Sequence, residues 1–297
     1  MLISSYMKVI FCNDDFGISY GFTESIKECF LNGITTSTAI CVNGNAYNYA
    51  VQLLKSELKK INLGLHLNLD YGRSTTKELQ NEDGKYKFTF LKYFILLRLG
   101  NKSLLKSLEK DLNYQFKKVF LDNLNITFVN GHDHIYMIPP IFEIVCKLCK
   151  KYKVKYIRLP REPFYSTGVN DLKTIFSSNM IKFLLLNYFS RINYKVLKRY
   201  HLRTTDSFYG VLYTQKMSTL TVMTALKDAL RRDYNSIEIL GHPSYINDLR
   251  DKKYETKVYE KFAKSRKRLI EKQAFLSKSI KEFINEEKIQ IVPFNKI

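Results

Sequence analysis

The amino-acid sequence predicts an α/β fold, a (β/α) barrel of about seven parallel strands in a single domain over residues 1–297. Short apolar or β-branched runs alternate with longer segments whose apolar residues recur at helical spacing, as in parallel strands joined by helical crossovers. Polar residues follow five of the predicted strands. An open doubly wound sheet concentrates its site at one switch point, whereas a barrel collects all strand ends at one mouth, so this distribution favours the barrel.

The first half of the chain supplies four of the predicted strands. Residues 8–13, 62–68 and 126–130 are apolar runs, and residues 35–43 are rich in β-branched side chains. Amphipathic spacing predicts helices between these strands, at about 21–32, at 47–60 and in two stretches between 90 and 124. Residues 70–124 are too many for a simple crossover, so we interpret them as an excursion from the barrel.

The second half continues the alternation. The pattern predicts, in order, a helix at 140–152, a strand at 156–160, an excursion at about 164–206, a helix at 219–232, a strand at 236–240, a long amphipathic helix at 254–287 and a last strand at 289–294. Cys146 and Cys149 form a C-x-x-C, but they occupy helical positions and no second pair completes a zinc ribbon. We therefore interpret them as helix residues and not as metal ligands or a redox pair.

Composition predicts a cytoplasmic protein. The opening lacks the basic region and the cleavage site of a signal peptide, and no stretch reaches the roughly 18–20 apolar residues of a membrane span. Five cysteines without a disulfide-like spacing suit a reducing compartment. The net charge of +20 is spread over helical segments, which favours a solvated basic surface over an anionic partner, and no nucleic-acid-binding motif is present.

Residues 179–200 are dense in apolar and aromatic side chains and are flanked by Lys and Arg. Such a segment can lie on a membrane surface or receive a lipid-linked sugar. It can also pack on the barrel as a lid or form the face of a homodimer, which is the interpretation that we favour.

Four of the five histidines, and an Asp-Asp pair, directly follow or end apolar runs. The residues concerned are Asp14, Asp15, His66, His132, His134 and His242. Two adjacent carboxylates at a buried strand end are unfavourable without a cation. Because neighbouring side chains of an extended segment point in opposite directions, one aspartate can bind a metal while the other faces the substrate. His132 and His134, spaced i, i+2, can face the same side, and imidazoles with a carboxylate form an open metal site. These residues predict a metal-assisted hydrolase.

The same motifs resemble the YdjC-like carbohydrate deacetylase family, which includes chitooligosaccharide deacetylases and has a distorted (β/α) barrel. The motifs occur in the family's order over nearly the whole chain: NDDFG, NGITTSTAICVNG, GLHLNL, GHDHIYMIPPIF, IRLPRE and GHPS, followed by Arg268 and Glu271 in the last long segment. The chain departs from the family pattern at Gly131, where relatives have serine, and at Tyr136, where they have histidine.

The resemblance implies a role for each site residue. Asp15, His66 and His132 correspond to the metal ligands, Asp14 to the general base and His242 to the general acid. Arg158 would hold either the substrate or the base, and the positions of His134 and Tyr136 correspond to substrate contacts. The implied cofactor is one divalent ion, magnesium or zinc, with manganese, cobalt or nickel as alternatives.

The implied reaction is hydrolysis of the N-acetyl group of an amino sugar or its oligosaccharide. Two alternatives stay open at this point. The first is another barrel metallohydrolase, acting on a phosphoester or a non-sugar amide, and the second is a non-catalytic carbohydrate-binding protein.

Overall fold

The computed structural model describes residues 6–168, 174–252 and 254–297. Part of the second predicted excursion, residues 169–173, lies outside the described residues. The strands are β1 (Lys8–Phe16), β2 (Ser37–Ile40), β3 (Asn62–Leu67), β4 (Phe128–Gly131), β5 (Tyr156–Ile157), β6 (Ser207–Tyr209), β7 (Ser236–Gly241) and β8 (Gln290–Ile291). Seven of them form one sheet in the order β5-β4-β3-β2-β1-β7-β6, and β8 pairs with β1 outside this path. All these pairings are parallel.

The sheet curls, and backbone hydrogen bonds link its two ends. The Arg203 amide donates to the Lys155 carbonyl at 2.8 Å, and the Ile157 amide donates to the Arg203 carbonyl at 3.0 Å. Further along, the Phe208 amide of β6 donates to the Arg161 carbonyl at 3.1 Å. β5 and the residues beside it thus pair with β6 and the residues before it, and the predicted distorted (β/α) barrel is confirmed.

Helices separate most of the strands. They are α1 (Tyr20–Asn32), α2 (Tyr47–Ser56), α3 (Phe90–Arg98), α4 (Lys102–Leu121), α5 (Pro139–Lys151), α6 (Ser178–Arg199), α7 (Thr219–Arg231), α8 (Lys257–Ala263), α9 (Lys267–Phe275) and α10 (Lys278–Glu286). α3 and α4 form the first excursion, and α6 dominates the described part of the second. Within the described ranges, none of the helices combines the length and the apolar character that a membrane span requires.

Two sequence-based assignments were wrong in detail. The single helix predicted at 254–287 is three helices, with breaks at residues 264–266 and 276–277. At the second break the Ser277 hydroxyl accepts the Ile280 N–H bond and caps α10, whereas α9 begins after Arg266 without a side-chain cap. The last predicted strand, 289–294, shortens to β8, and the seventh strand of the barrel path is instead β6. β6 was missed because three residues are too few to display a strand periodicity.

The barrel interior is filled by an apolar layer that supports the site above it. Ile10, Phe128, Tyr156 and Phe294 form a buried cluster with Cys12 and Ala39. The rings of Phe128 and Phe294 stack with centroids 4.0 Å apart, so the C-terminal residues close the bottom of the barrel. All five cysteines are unpaired and buried, including Cys146 and Cys149 on α5.

Candidate active site

Because side chains alternate along the strands, a layer of polar residues lies directly above the apolar layer. In β1 the interior series Ile10 and Cys12 continues to Asp14, because residues i, i+2 and i+4 of a strand share one face. In the same way Phe128 is followed by Asn130, and Tyr156 by Arg158. Asn130, Arg158, Glu238 and Asp14 are all buried. They form a polar layer directly above the hydrophobic one.

Arg158 pairs with both acidic side chains of this layer. Its Nη1 lies 2.5 Å from Asp14 Oδ2, its Nη2 lies 2.9 Å from Asp14 Oδ1, and its Nε donates to Glu238 Oε1 at 2.7 Å. Burial alone would raise the pKa of Asp14, but the charge and hydrogen bonds of Arg158, together with His66 and His242, outweigh it and lower this pKa to about 2. Asp14 is therefore an ionised carboxylate at neutral pH.

A bulge in β1 turns the next carboxylate toward the histidines. The ladder between β1 and β2 shifts register between Asn13 and Phe16, and Asp15 has a φ of +70°. Asp15 Oδ1 lies 3.0 Å from His132 Nδ1 and 3.3 Å from His66 Nε2. One ligand atom from each of these three residues lies within 4.8 Å of the others. The predicted ligands therefore form one compact group.

The protonation pattern around His66 fits a metal ion. Asn130 Nδ2 donates a hydrogen bond to Asp14 at 2.8 Å. The Asn130 Oδ1, 2.7 Å from His66 Nδ1, is therefore the acceptor, and His66 Nδ1–H is the donor. His66 Nε2 then carries a lone pair, and it is buried without a hydrogen-bond partner among the described residues. A buried lone pair without a partner is unfavourable, and a cation bound by two imidazoles and a carboxylate would satisfy it.

Two further carboxylates lie beside His132. Asp70, His132 and Asp133 also offer ligand atoms within 4.8 Å of one another, and Asp133 forms an ion pair with Lys182 at 2.8 Å. Asp70 was not predicted as a site residue, although an acidic residue three positions after β3 was the available signal.

His132 and His134 reach the site by a route that differs from the prediction. β4 ends at Gly131, and both histidines belong to a 3₁₀ turn (His132–Met137) in which Asp133 and His134 have φ values of 47° and 55°. The expected extended i, i+2 geometry is therefore wrong, because the chain leaves the strand one residue before His132. Burial lowers the pKa of His134 well below its usual value, and its ring is neutral.

His242 lies on the other side of the pocket and is held by α9. Its amide donates to Glu271 Oε2 at 2.7 Å, its Nδ1 lies 3.7 Å from the same oxygen, and Arg268 Nη1 donates to its carbonyl at 3.0 Å. Arg268 and Glu271 are fully buried. Arg268 and Glu271, which the sequence analysis named after the GHPS motif, thus hold the backbone of that motif in place.

These elements surround a cleft of about 400 Å³, which includes space open to solvent. Six of the predicted residues line it: Asp14, Asp15, His66, His132, His134 and His242. Arg158 is completely buried beneath Asp14, and the buried Tyr136 donates its hydroxyl to the Arg158 carbonyl at 2.8 Å, so neither lines the cleft. Lys182, Thr214 and Phe262 line it without having been predicted. They come from α6, from the loop after β6 and from α8. Lys182 belongs to the segment 179–200 that was interpreted as a lid or dimer face, whereas no sequence pattern marked Thr214 or Phe262.

Comparisons with known proteins identify the family of the chain. A carbohydrate deacetylase of Clostridium beijerinckii is 26% identical over 294 residues, which cover 98% of this chain and 100% of that protein. A carbohydrate deacetylase of Brevibacillus brevis is 25% identical over 296 residues, with 98% and 100% covered. The crystal structure of a proposed cellobiose-phosphate cleavage protein from Enterococcus faecalis V583 has the same fold, with a TM-score of 0.73 at 18% identity, over 98% of this chain and 99% of that one. The family profile described as YdjC-like protein matches residues 8–286, and the chain therefore belongs to the YdjC-like family.

Proposed function

We propose that this protein is a metal-dependent carbohydrate deacetylase, which hydrolyses the N-acetyl group of an amino sugar or its oligosaccharide and releases acetate. The observation that carries the proposal is that a two-histidine, one-carboxylate group lines the same cleft as an ionised aspartate and a further histidine. The printed names of the two bacterial relatives support the substrate class.

Asp15, His66 and His132 would hold the metal ion. A carboxylate with two imidazoles suits zinc and, with added water, also magnesium, manganese, cobalt or nickel. When bound, a divalent ion would polarise the acetyl carbonyl and lower the pKa of water toward about 7. The Tyr259 hydroxyl, 3.3 Å from Asp15 Oδ2, holds the second carboxylate oxygen in place.

Asp14 is the proposed general base. Its Oδ1 already accepts bonds from Arg158 and Asn130, whereas among the described residues Oδ2 accepts a bond from Arg158 Nη1 alone. Each carboxylate oxygen has two acceptor positions, so Oδ2 keeps one for the proton of the water that attacks the acetyl carbon. Of the two roles expected for Arg158, its burial favours holding the base over contacting the substrate. Tyr136 then supports Arg158 through the backbone.

His242 is the proposed general acid. Its Nδ1 faces Glu271, so the opposite edge of the ring is available to the cleft. Protonation of the amine as the C–N bond breaks yields the free amino sugar and acetate. His134, neutral and on the cleft wall, is left as the proposed substrate contact. We also propose that the chain acts as a single domain, since every one of these residues belongs to or flanks the same barrel.

A substrate panel tests the reaction class. Purified protein supplied with each metal in turn is assayed for acetate release from N-acetylglucosamine and its oligomers, for phosphate release from aryl phosphates, and for hydrolysis of non-sugar amides. We expect acetate release from the sugars. Hydrolysis confined to the phosphate esters or the non-sugar amides would replace this proposal by another barrel metallohydrolase. Sugar binding without any turnover would replace it by a carbohydrate-binding protein.

A further inference from the structure

Helix α6 leaves part of its apolar surface exposed. Phe183, Leu186, Phe189 and Leu197 are buried against the barrel side. On the other side the side chains of Ile181, Leu184 and Tyr188 are 70%, 60% and 60% exposed, and Phe176, just before the helix, is 86% exposed. Positions 181, 184 and 188 share one helical face. Isolated exposed apolar residues are ordinary, but four large ones on one short segment indicate a contact surface.

The same face becomes strongly basic toward the C-terminal end of the helix. α6 contains Lys182, Arg191, Lys195, Lys198 and Arg199 and no Asp or Glu. Two of these cations have acidic partners on other elements, Lys182 with Asp133 and Arg199 with Glu143. Arg191 and Lys195 are exposed and continue the face of Leu184 and Tyr188 at positions i+7 and i+11 from Leu184. We call Phe176, Ile181, Leu184, Tyr188, Arg191 and Lys195 the α6 face.

α3, which contacts α6, also combines exposed apolar residues with positive charge. Phe90 and Phe94 of α3 contact Phe189 of α6, with ring centroids 6.4 and 5.7 Å apart. Beyond these contacts Leu91 and Ile95 of α3 are 63% and 45% exposed, and Leu99, directly after the helix, is 77% exposed. α3 also has two basic residues and no acidic one. Exposed aliphatic side chains and unbalanced positive charge therefore occur together on two helices in contact.

We propose that the α6 face binds the surface of a membrane that contains anionic lipids. An amphipathic helix with large apolar residues and cations lies in the plane of the headgroups, burying the apolar side chains while the cations meet lipid phosphates. Charge complementarity favours this occupant over a second copy of the chain. A two-fold contact through the α6 face would bring the cations of both copies together, and each chain already carries a net charge of +20. The inference is independent of the proposed deacetylase activity.

Vesicle sedimentation tests the proposal on the full chain. We expect the protein to sediment with vesicles of phosphatidylcholine and phosphatidylglycerol and to stay in the supernatant with phosphatidylcholine alone. Raising the salt from about 0.1 M to about 1 M should release it, because screening shortens from about 10 Å to about 3 Å. Absence of binding to the anionic vesicles would overturn the proposal.

Three variants assign the binding to the α6 face. Arg191→Glu with Lys195→Glu should lower the partition coefficient by at least about 25-fold, since each basic residue near the surface contributes about a factor of five. Ile181→Ser with Leu184→Ser should lower it by at least about 10-fold. Leu31→Ser, at a 51% exposed leucine of α1, is the matched control and should bind like the wild type. Circular dichroism and thermal unfolding verify folding, and the charge reversals at exposed positions keep the test valid if the serine variants unfold.

The same protein samples test whether a second copy of the chain, and not a membrane, covers the α6 face. Analytical ultracentrifugation without vesicles should give a monomer, or an oligomer that the α6 variants leave intact. A dimer that dissociates in Ile181→Ser with Leu184→Ser, without a change in vesicle binding, would assign this face to a second copy and overturn the proposal. Binding of the charge-reversed variant at the wild-type level would also overturn it.

Discussion

Arg158 contacts both carboxylate oxygens of Asp14, with Nη1 2.5 Å from Oδ2 and Nη2 2.9 Å from Oδ1. Its Nε donates to Glu238, so one guanidinium serves two buried carboxylates. This arrangement holds a buried, ionised aspartate at the cleft in one orientation. It also explains how one strand end can present two adjacent aspartates, because Asp14 and Asp15 have different partners.

Replacing Asp14 by asparagine should separate metal binding from turnover. Asn keeps the shape and accepts a bond at one position, but it cannot take a proton, so kcat should fall by roughly 10²–10⁴-fold. Metal content after dialysis should remain that of the wild type, because the Asp15, His66 and His132 group is unchanged. Atomic absorption and acetate release measure the two quantities. Near-normal turnover in Asp14→Asn would refute the assignment of the base.

Removing the Arg158 guanidinium should destabilise the whole barrel. Arg158→Met leaves the buried carboxylates of Asp14 and Glu238 without their cation, and breaking such a buried pair lowers the free energy of unfolding by about 3–5 kcal/mol. Arg161→Met is the matched control, since Arg161 is exposed and its loss should cost less than about 1 kcal/mol. Urea unfolding measures both. Equal stability of the two variants would mean that these buried carboxylates do not depend on Arg158.

A methyl group at Gly64 should disturb the barrel interior. A Cβ there would lie 2.5 Å from the ring of Phe128, which cannot retreat because it stacks on Phe294. Overpacking of this kind costs about 1–3 kcal/mol, so Gly64→Ala should unfold at lower urea concentration than the wild type. Adding Phe128→Leu should restore part of the loss by making room. Additive destabilisation in the double variant would contradict the proposed contact.

The cysteines should be unreactive in the folded protein. Burial raises the pKa of Cys29, Cys41 and Cys146 to about 12, and Cys12 and Cys149 are also buried with raised pKa values. At pH 8 a thiol reagent should therefore label almost nothing until denaturant is added, and then all five thiols. Rapid labelling of the native protein at Cys146 and Cys149 would indicate an accessible pair and contradict the interpretation of them as helix core residues.

The sequence was sufficient to predict the barrel and the convergence of its strand ends. Alternation along β1 and the spacing of apolar runs are local signals, and they already indicated that Asp14, Asp15, His66, His132 and His242 would meet. The strand β6 carried no such signal because it has three residues. In the 254–287 segment the break before α10 depends on the Ser277 cap, whereas the apolar spacing continues through both breaks.

The remaining cleft residues depend on tertiary contacts that periodicity does not encode. Lys182 lines the cleft because α6 returns across the barrel mouth to pair with Asp133. Thr214 lines it because Glu162 accepts three backbone N–H bonds from residues 210–212 and so fixes the loop after β6. Neither contact has a sequence pattern, since the partners are about 50 residues apart in each case.

The proposed function is tested most directly by removing the metal and returning it, in the wild type and in one histidine variant. The wild type, dialysed against a chelator, should release no acetate from N-acetylglucosamine oligosaccharides and should recover when one divalent ion per chain is returned. His66→Ala loses the buried Nε2 ligand, so it should bind the ion at least about 10-fold more weakly and show no recovery at the same metal concentration. Full acetate release by the metal-free wild type, or recovery of His66→Ala equal to that of the wild type, would contradict a metal-dependent deacetylase.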